Sequence, residues 1–217
     1  MILITNGCSF SECVLDPDKN FTWPRHLAAS LNLKEVKPNF FDVQSSNEIH
    51  QPLAMGSQGN GQISRKTIYT VDKHLKNGIS PDDIKVVVMW SGPERGDYYT
   101  PDRHHKSVFS FEKNTDHWVE NPTTWPEEDI QGGWVIQNVH WRHPSSENYY
   151  RLYHSDEWSF IQSLEHYLRL QWYLESVGVQ WAGLTYTGAC FQTKMKLHPS
   201  VSYLWNMIDW KKFEAGF

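Results

Sequence analysis

Ile84-Lys85-Val86-Val87-Val88-Met89-Trp90, entered through Ser80-Pro81-Asp82-Asp83, ends in an unbroken apolar run. Such a run marks a strand covered on both faces, the kind found in parallel sheets. Just upstream, Ile63, Ile68, Val71 and Leu75 supply the apolar face of a helix that Asn77-Gly78 closes. A glycine-rich loop, Leu53-Ala54-Met55-Gly56-Ser57-Gln58-Gly59-Asn60-Gly61-Gln62, precedes that helix. Further out, Trp23-Pro24-Arg25-His26-Leu27-Ala28-Ala29-Ser30-Leu31 predicts a helix with proline near its start, and residues 1–5 suit a short buried strand. Downstream, residues 91–155 are rich in Pro, Asn, Asp, His and aromatics with few periodic stretches, and they read as an insertion carrying some local structure. Asp156 to Ser176 then gives a long helix, with Trp158, Ile161, Leu164, Leu168, Trp172 and Leu174 mostly at intervals of three or four, closed by Gly178. Val179 to Tyr186 is the strand that follows.

This alternation predicts an α/β chain with a mostly parallel sheet, covered on both faces by helices through right-handed crossovers. Ligands of such sheets lie outside the carboxyl ends of the strands. Three loops leave strands there: residues 6–16, the glycine-rich segment where a strand precedes it, and residues 91–105. The strand at 179–186 is the fourth and last one read from the sequence, and the chain ends soon after it at Phe217.

With 217 residues and 39% hydrophobic content, one domain spanning 1–217 is expected, since two would each have a thin interior. The net charge of −5, with 20 basic and 25 acidic residues interspersed, argues against nucleic acid as a partner. The apolar runs are too short to span a bilayer, and the start has no basic segment or cleavage site, so a cytoplasmic protein without membrane partners is expected. Cys8, Cys13 and Cys190 lack the paired spacing of a zinc site and read as reduced, mostly buried thiols. His104-His105, His140-Trp141-Arg142-His143 and His154 have no supporting carboxylate or thiolate at ligand spacing, so no metal is expected. Eleven tryptophans and ten tyrosines pack irregular loops in the first reading; in the second their flat faces suit the C–H faces of pyranose rings.

Asn6-Gly7-Cys8-Ser9-Phe10-Ser11 places Ser9 on the turn after the first strand, where glycine lets the chain bend and a hydroxyl can project over the sheet edge. The alternative is a turn in which Ser9 and Ser11 only satisfy backbone groups. Gly56-Ser57-Gln58-Gly59-Asn60-Gly61 offers unhindered N–H groups beside a helix start, a surface suited to an oxyanion or a phosphate. It lacks the lysine of a P-loop, which argues against nucleotide binding.

Those two segments, extended to Ala54-Met55-Gly56-Ser57-Gln58-Gly59-Asn60-Gly61-Gln62-Ile63-Ser64-Arg65, together with Val87-Val88-Met89-Trp90-Ser91-Gly92-Pro93-Glu94-Arg95, resemble the SGNH (GDSL-type) hydrolase superfamily. They are most similar to the small versions encoded by tailed bacteriophages, cyanophages among them. The resemblance covers residues 1–95 and extends to the helix and strand of 156–186; the insertion lies outside it. It implies a flavodoxin-like three-layer α/β/α sandwich, no cofactor, and a small ester or O-acetylated carbohydrate as substrate. Ser9 then matches the nucleophile, with its own N–H as one oxyanion donor. Gly59 matches the glycine that supplies another, with Gly56 the other possible match. The same blocks put Gly56, Asn60 and Trp90 beside the substrate.

Three features depart from the family pattern. Ser91-Gly92-Pro93-Glu94-Arg95 stands where the family carries an asparagine in Gly-x-Asn-Asp, leaving the Ser91 hydroxyl or the Arg95 guanidinium as replacement donor. Arg95 has a competing role as a surface partner of Glu94 or Asp97. The family's C-terminal Asp-x-x-His block has no match after residue 186. The one such spacing, Asp102-Arg103-His104-His105, lies in the insertion, where His105 is one candidate base with Asp102; His198, in Leu197-His198-Pro199-Ser200, is the other. Both have plain readings, as a chance spacing and as a turn or helix-start histidine. Asp209 to Phe217 carries apolar residues to its end and reads as a shortened domain. A serine without a base is a poor nucleophile at neutral pH. Two functions therefore stand: a serine esterase or acetylesterase, and a catalytically impaired hydrolase-fold module binding a glycan or a virion partner. A phage origin implies the host cytoplasm or the virion as location.

Overall fold

Ile84, Val86, Val88 and Trp90 share one buried layer with Ile2 and Ile4, the alternate residues of the adjoining strand. The computed structural model describes residues 1–9, 11, 22–36, 48–54, 58–100, 133–137, 144–185 and 199–215. Its elements in chain order are β1 (Ile2–Asn6), α1 (Trp23–Ser30), β2 (Lys34–Glu35), β3 (Ile49–Pro52), α2 (Asn60–Lys76), β4 (Ile84–Trp90), β5 (Gly96–Thr100), β6 (Gly133–Gln137), α3 (Pro144–Leu152), α4 (Asp156–Ser176), β7 (Gln180–Thr185), α5 (Pro199–Met207) and β8 (Phe213–Ala215).

Six strands form one sheet in the order β2-β3-β1-β4-β7-β8, parallel throughout. From β1 the chain moves to β2 and β3 on one side, then crosses to β4 and continues outward to β7 and β8. Right-handed crossovers put α2, α4 and α5 on one face and α1 on the other, which is the flavodoxin-like three-layer sandwich. The strand order reverses between β1 and β4, so the loops leaving those two strands flank the crevice where such folds hold ligands.

On the three-helix face, α2 packs on α4 and α4 on α5. Helix α4 begins where the Ser155 hydroxyl accepts from the Trp158 N–H at 3.1 Å, with Asp156 and Glu157 in the first turn complementing the positive end of the helix dipole. Its buried side chains include Phe160, Leu164, Tyr167, Leu168, Leu170 and Leu174, and each fully enclosed leucine contributes roughly 1.5–3 kcal/mol. Helix α2 differs: Asn60, Gln62, Ser64, Thr67, Thr70 and His74 are buried on it alongside Ile63 and Val71. Buried polar groups need partners. His74 finds one in Gln51 of β3, 2.8 Å from its Nε2.

A strand, β3, does precede the glycine-rich loop. The fourth strand read from the sequence is not the last, because α5 and β8 follow it, and β8 pairs with β7 from Gly183↔Phe213 to Thr185↔Ala215. Gly183 admits that neighbour: a Cβ there would lie 2.7 Å from the Phe213 ring. Within residues 91–155, β5 and β6 form an antiparallel pair and α3 follows. The Tyr150 hydroxyl on α3 donates to the Glu94 carbonyl at 2.8 Å, tying the helix to the loop after β4. Among the described residues, no helix is long and apolar enough to cross a membrane.

Candidate functional site

The turn after β1 is built on a buried amide. Asn6 Nδ2 donates to the Ile63 carbonyl and to Thr67 Oγ1, both at 3.0 Å, which fixes the end of β1 to α2. Its Oδ1 accepts from the Gly7 N–H at 2.8 Å and from Gln58 Nε2 at 3.1 Å. Every bonding position of the amide is therefore engaged within the protein. Gly7 is a matter of space, since a Cβ there would lie 2.8 Å from Ser11 Cβ and 3.0 Å from the Met89 carbonyl oxygen. A Ser11 N–H bond to the Cys8 carbonyl at 2.8 Å closes the turn, with Cys8 a buried free thiol. The two serines then diverge. Ser9 is exposed at the tip, whereas Ser11 is buried and its Oγ accepts from the Trp23 indole N–H at 2.9 Å.

Gln58 joins the glycine-rich segment to this turn, donating from Nε2 to the Gly7 carbonyl at 2.6 Å. Gly59 follows as the extended N-cap of α2, its carbonyl accepting from the Ile63 N–H at 3.1 Å. The first-turn N–H groups of α2 thus start at the carboxyl rim of the sheet, as any helix start leaves them without intrahelical partners. Gly59 and Gly61 also let the loop after β4 approach closely: a Cβ on Gly59 would lie 2.7 Å from the Arg95 carbonyl oxygen, and one on Gly61 would lie 2.6 Å from Asp97 Oδ1.

The loop after β4 is gripped by Asn60. Asn60 Oδ1 accepts from the Ser91 N–H at 2.8 Å while its Nδ2 donates to the Ser91 carbonyl at 3.1 Å and to Ser163 Oγ at 3.0 Å. Ser163 passes the link on by donating to the Ser159 carbonyl at 2.9 Å. Helices α2 and α4 and the end of β4 are therefore laced together at one point. Ser91 Oγ is buried and has no hydrogen-bond partner among the described residues.

Charge gathers beside this lacing. Asp97 is nearly enclosed and pairs with Arg65. Arg169 donates to Ser64 Oγ at 3.1 Å, to the Gly61 carbonyl at 3.3 Å and to His166 Nδ1 at 3.2 Å. Burial first, and then the Arg169 guanidinium, lower the His166 pKa to about 4, so this imidazole stays neutral near pH 7 and its Nδ1 is free to accept. Arg95 is half-buried, with its Nε 4.0 Å from Glu94 Oε1 and its Nη1 unpaired among the described residues.

The structure thus brings the segments of Ser9, Gly59, Asn60, Ser91 and Arg95 to one rim. Asn60 and Trp90 form the framework beneath it: Asn60 spends both amide hydrogens inside the protein, and Trp90 is buried with its ring 4.3 Å from that of Tyr167. Gly56, Asp102, His105 and His198 lie outside the described residues. Among the described residues no imidazole is hydrogen-bonded to Ser9, and no group of three or more His, Cys, Asp or Glu could hold a metal ion. Sequence reading missed Gln58 and Ser163 as organisers of the rim. Their signal is spatial, since their partners lie 51 and 103 residues away. No protein-family model, curated protein or solved structure matches this chain.

Proposed function

We infer that this chain is an SGNH-type serine hydrolase acting on an ester, an O-acetyl group of a carbohydrate foremost. Ser9 is the nucleophile. Its Oγ attacks the acyl carbon, the carbonyl π electrons move onto oxygen, and the N–H groups of Ser9 and Gly59 hold the resulting oxyanion. The third donor is Ser91 or Arg95. A histidine, His105 with Asp102 or else His198, takes the serine proton and returns it to the leaving alcohol, and water then releases the acyl group by the reverse steps.

The observation that supports this reading is the exposed Ser9, carried on a turn that Asn6 and Gln58 anchor at Gly7, at the point where the strand order reverses. Full-length protein treated with a fluorophosphonate probe is expected to form a covalent adduct on Ser9, lost in Ser9→Ala. Absence of the adduct beside a reactive control hydrolase overturns the reading.

One observation favours the second reading, a hydrolase-fold module that binds a glycan or virion partner. Asn6 and Asn60, the asparagines described at the rim, each have both amide hydrogens committed internally, so neither replaces the donor missing from the third block. Glycan-array binding that persists in Ser9→Ala would point to this alternative.

A further inference from the structure

The register of the central strands pairs Asn6 with Val88, and three residues further along each chain stand Ser9 and Ser91. Strand β1 ends at Asn6 and turns, so Ser9 is exposed on that turn, whereas β4 runs on to Trp90 and Ser91 is the buried residue directly after it. The turn carrying Ser9 packs on the end of β4, because Gly7 has room only for hydrogen beside the Met89 carbonyl, two residues before Ser91.

We propose that the Ser91 hydroxyl is the oxyanion donor standing in for the absent asparagine, and that Asn60 is the positioning residue that holds it. This rests on the reading of Ser9 as nucleophile. Asn60 bonds both the N–H and the carbonyl of Ser91, at 2.8 and 3.1 Å, so that the residue's backbone is held while its Oγ is left over. The backbone N–H is thereby spent and only the side chain can donate. That hydroxyl is buried and unpaired among the described residues, a costly condition for a polar atom unless a hydrogen-bond acceptor belongs there. A donor enclosed away from water is also where one hydrogen bond to developing negative charge counts most. Arg95 is the weaker choice: its carbonyl packs on Gly59, and it sits four residues beyond the point at which Asn60 grips this loop.

The test uses the full chain, p-nitrophenyl acetate hydrolysis and fluorophosphonate labelling. Ser91→Ala is expected to lower kcat by about 10²- to 10³-fold with KM nearly unchanged, and Ser91→Thr, which keeps the hydroxyl, is expected to retain most of the rate. Asn60→Ala should lower kcat as well, and the double variant Asn60→Ala/Ser91→Ala should be no slower than the slower single variant, because both lesions remove the same donor. A merely structural Asn60 would instead give multiplying losses. Since Ser91→Ala deletes a hydroxyl with no described partner, it should fold, and it decides the matter even where Asn60→Ala does not. Wild-type kcat in Ser91→Ala, with activity abolished in Ser9→Ala, removes Ser91 and leaves the nucleophile standing. Hydrolysis that survives Ser9→Ala removes both.

Discussion

The turn after β1 turns its serine out to solvent, whereas the loop after β4 keeps its serine inside. They leave neighbouring parallel strands, β4 running two residues further than β1, and each is held by a buried asparagine. The grips differ. Asn6 bonds α2 on one side and the turn on the other, so the amide belongs to the strand and the hydroxyl is three residues beyond it. Asn60 belongs to the helix and clasps the serine's own backbone, leaving only a side chain unspent. One construction presents a hydroxyl to solvent and the other keeps one inside. A rigid polar frame underlies both.

The most damaging way to break this contrast is to remove the frame on the first side. Asn6→Ala deletes four buried hydrogen bonds at about 1 kcal/mol each, and we expect a loss of about 4 kcal/mol, a fall in Tm of about 8 to 16 °C. Calorimetry checks it. A Tm within about 2 °C of wild type would mean that the turn is not anchored through this amide.

That frame was only partly legible in the sequence. Strand β4 and helix α4 declared themselves because an apolar run and a three-to-four spacing are local signals, and α4 spans the range read from its periodicity. Strand β3 carries His50, Gln51 and Pro52, which do not read as strand; it is a strand because Thr5 and His74 answer those polar groups from elsewhere in the chain. Strand β8 is three residues long, too short for any period, and exists through Phe213 seated on Gly183. At the site, the glycines marked the rim, but the work of Asn60 depends on Ser91 and Ser163, 31 and 103 residues away. Spacing in a sequence cannot carry that information.

Acid offers a second and somewhat gentler way to divide the two regions. His50 backs the strand of the first turn, with Nε2 2.8 Å from Thr5 Oγ1, and His166 backs the loop after β4 beside Gly61 and Asp97. Burial lowers the His50 pKa to about 4 despite the Glu35 carboxylate 3.8 Å away, which opposes the shift, and Arg25 adds to the lowering. In each case the folded protein holds the neutral imidazole while the unfolded chain takes up a proton near pH 6.5. Stability is therefore full above that pH and declines as pH falls from 6.5 toward 4, by about 2 to 3 kcal/mol for His50 at pH 4.5. Denaturant melts of wild type, His50→Gln and His166→Gln across that range should show a shallower acid slope in each variant. Identical slopes in all three would show that neither imidazole is buried neutral.

The smallest effect sharpens the contrast within the first turn itself. Ser9 and Ser11 share this turn, yet Ser11 is buried and its oxygen already accepts from the Trp23 indole at 2.9 Å. An oxygen already accepting from this indole is committed to tethering the turn to α1. Ser11→Ala is thus expected to cost about 1 kcal/mol by leaving the indole N–H without that acceptor, and to leave the rate of fluorophosphonate labelling within about two-fold of wild type. Peptide mapping after labelling separates the two positions directly. An adduct on Ser11, or a labelling rate that collapses in Ser11→Ala while the fold persists, would mean that the turn opens in solution and that the serine tied to Trp23 is the reactive one.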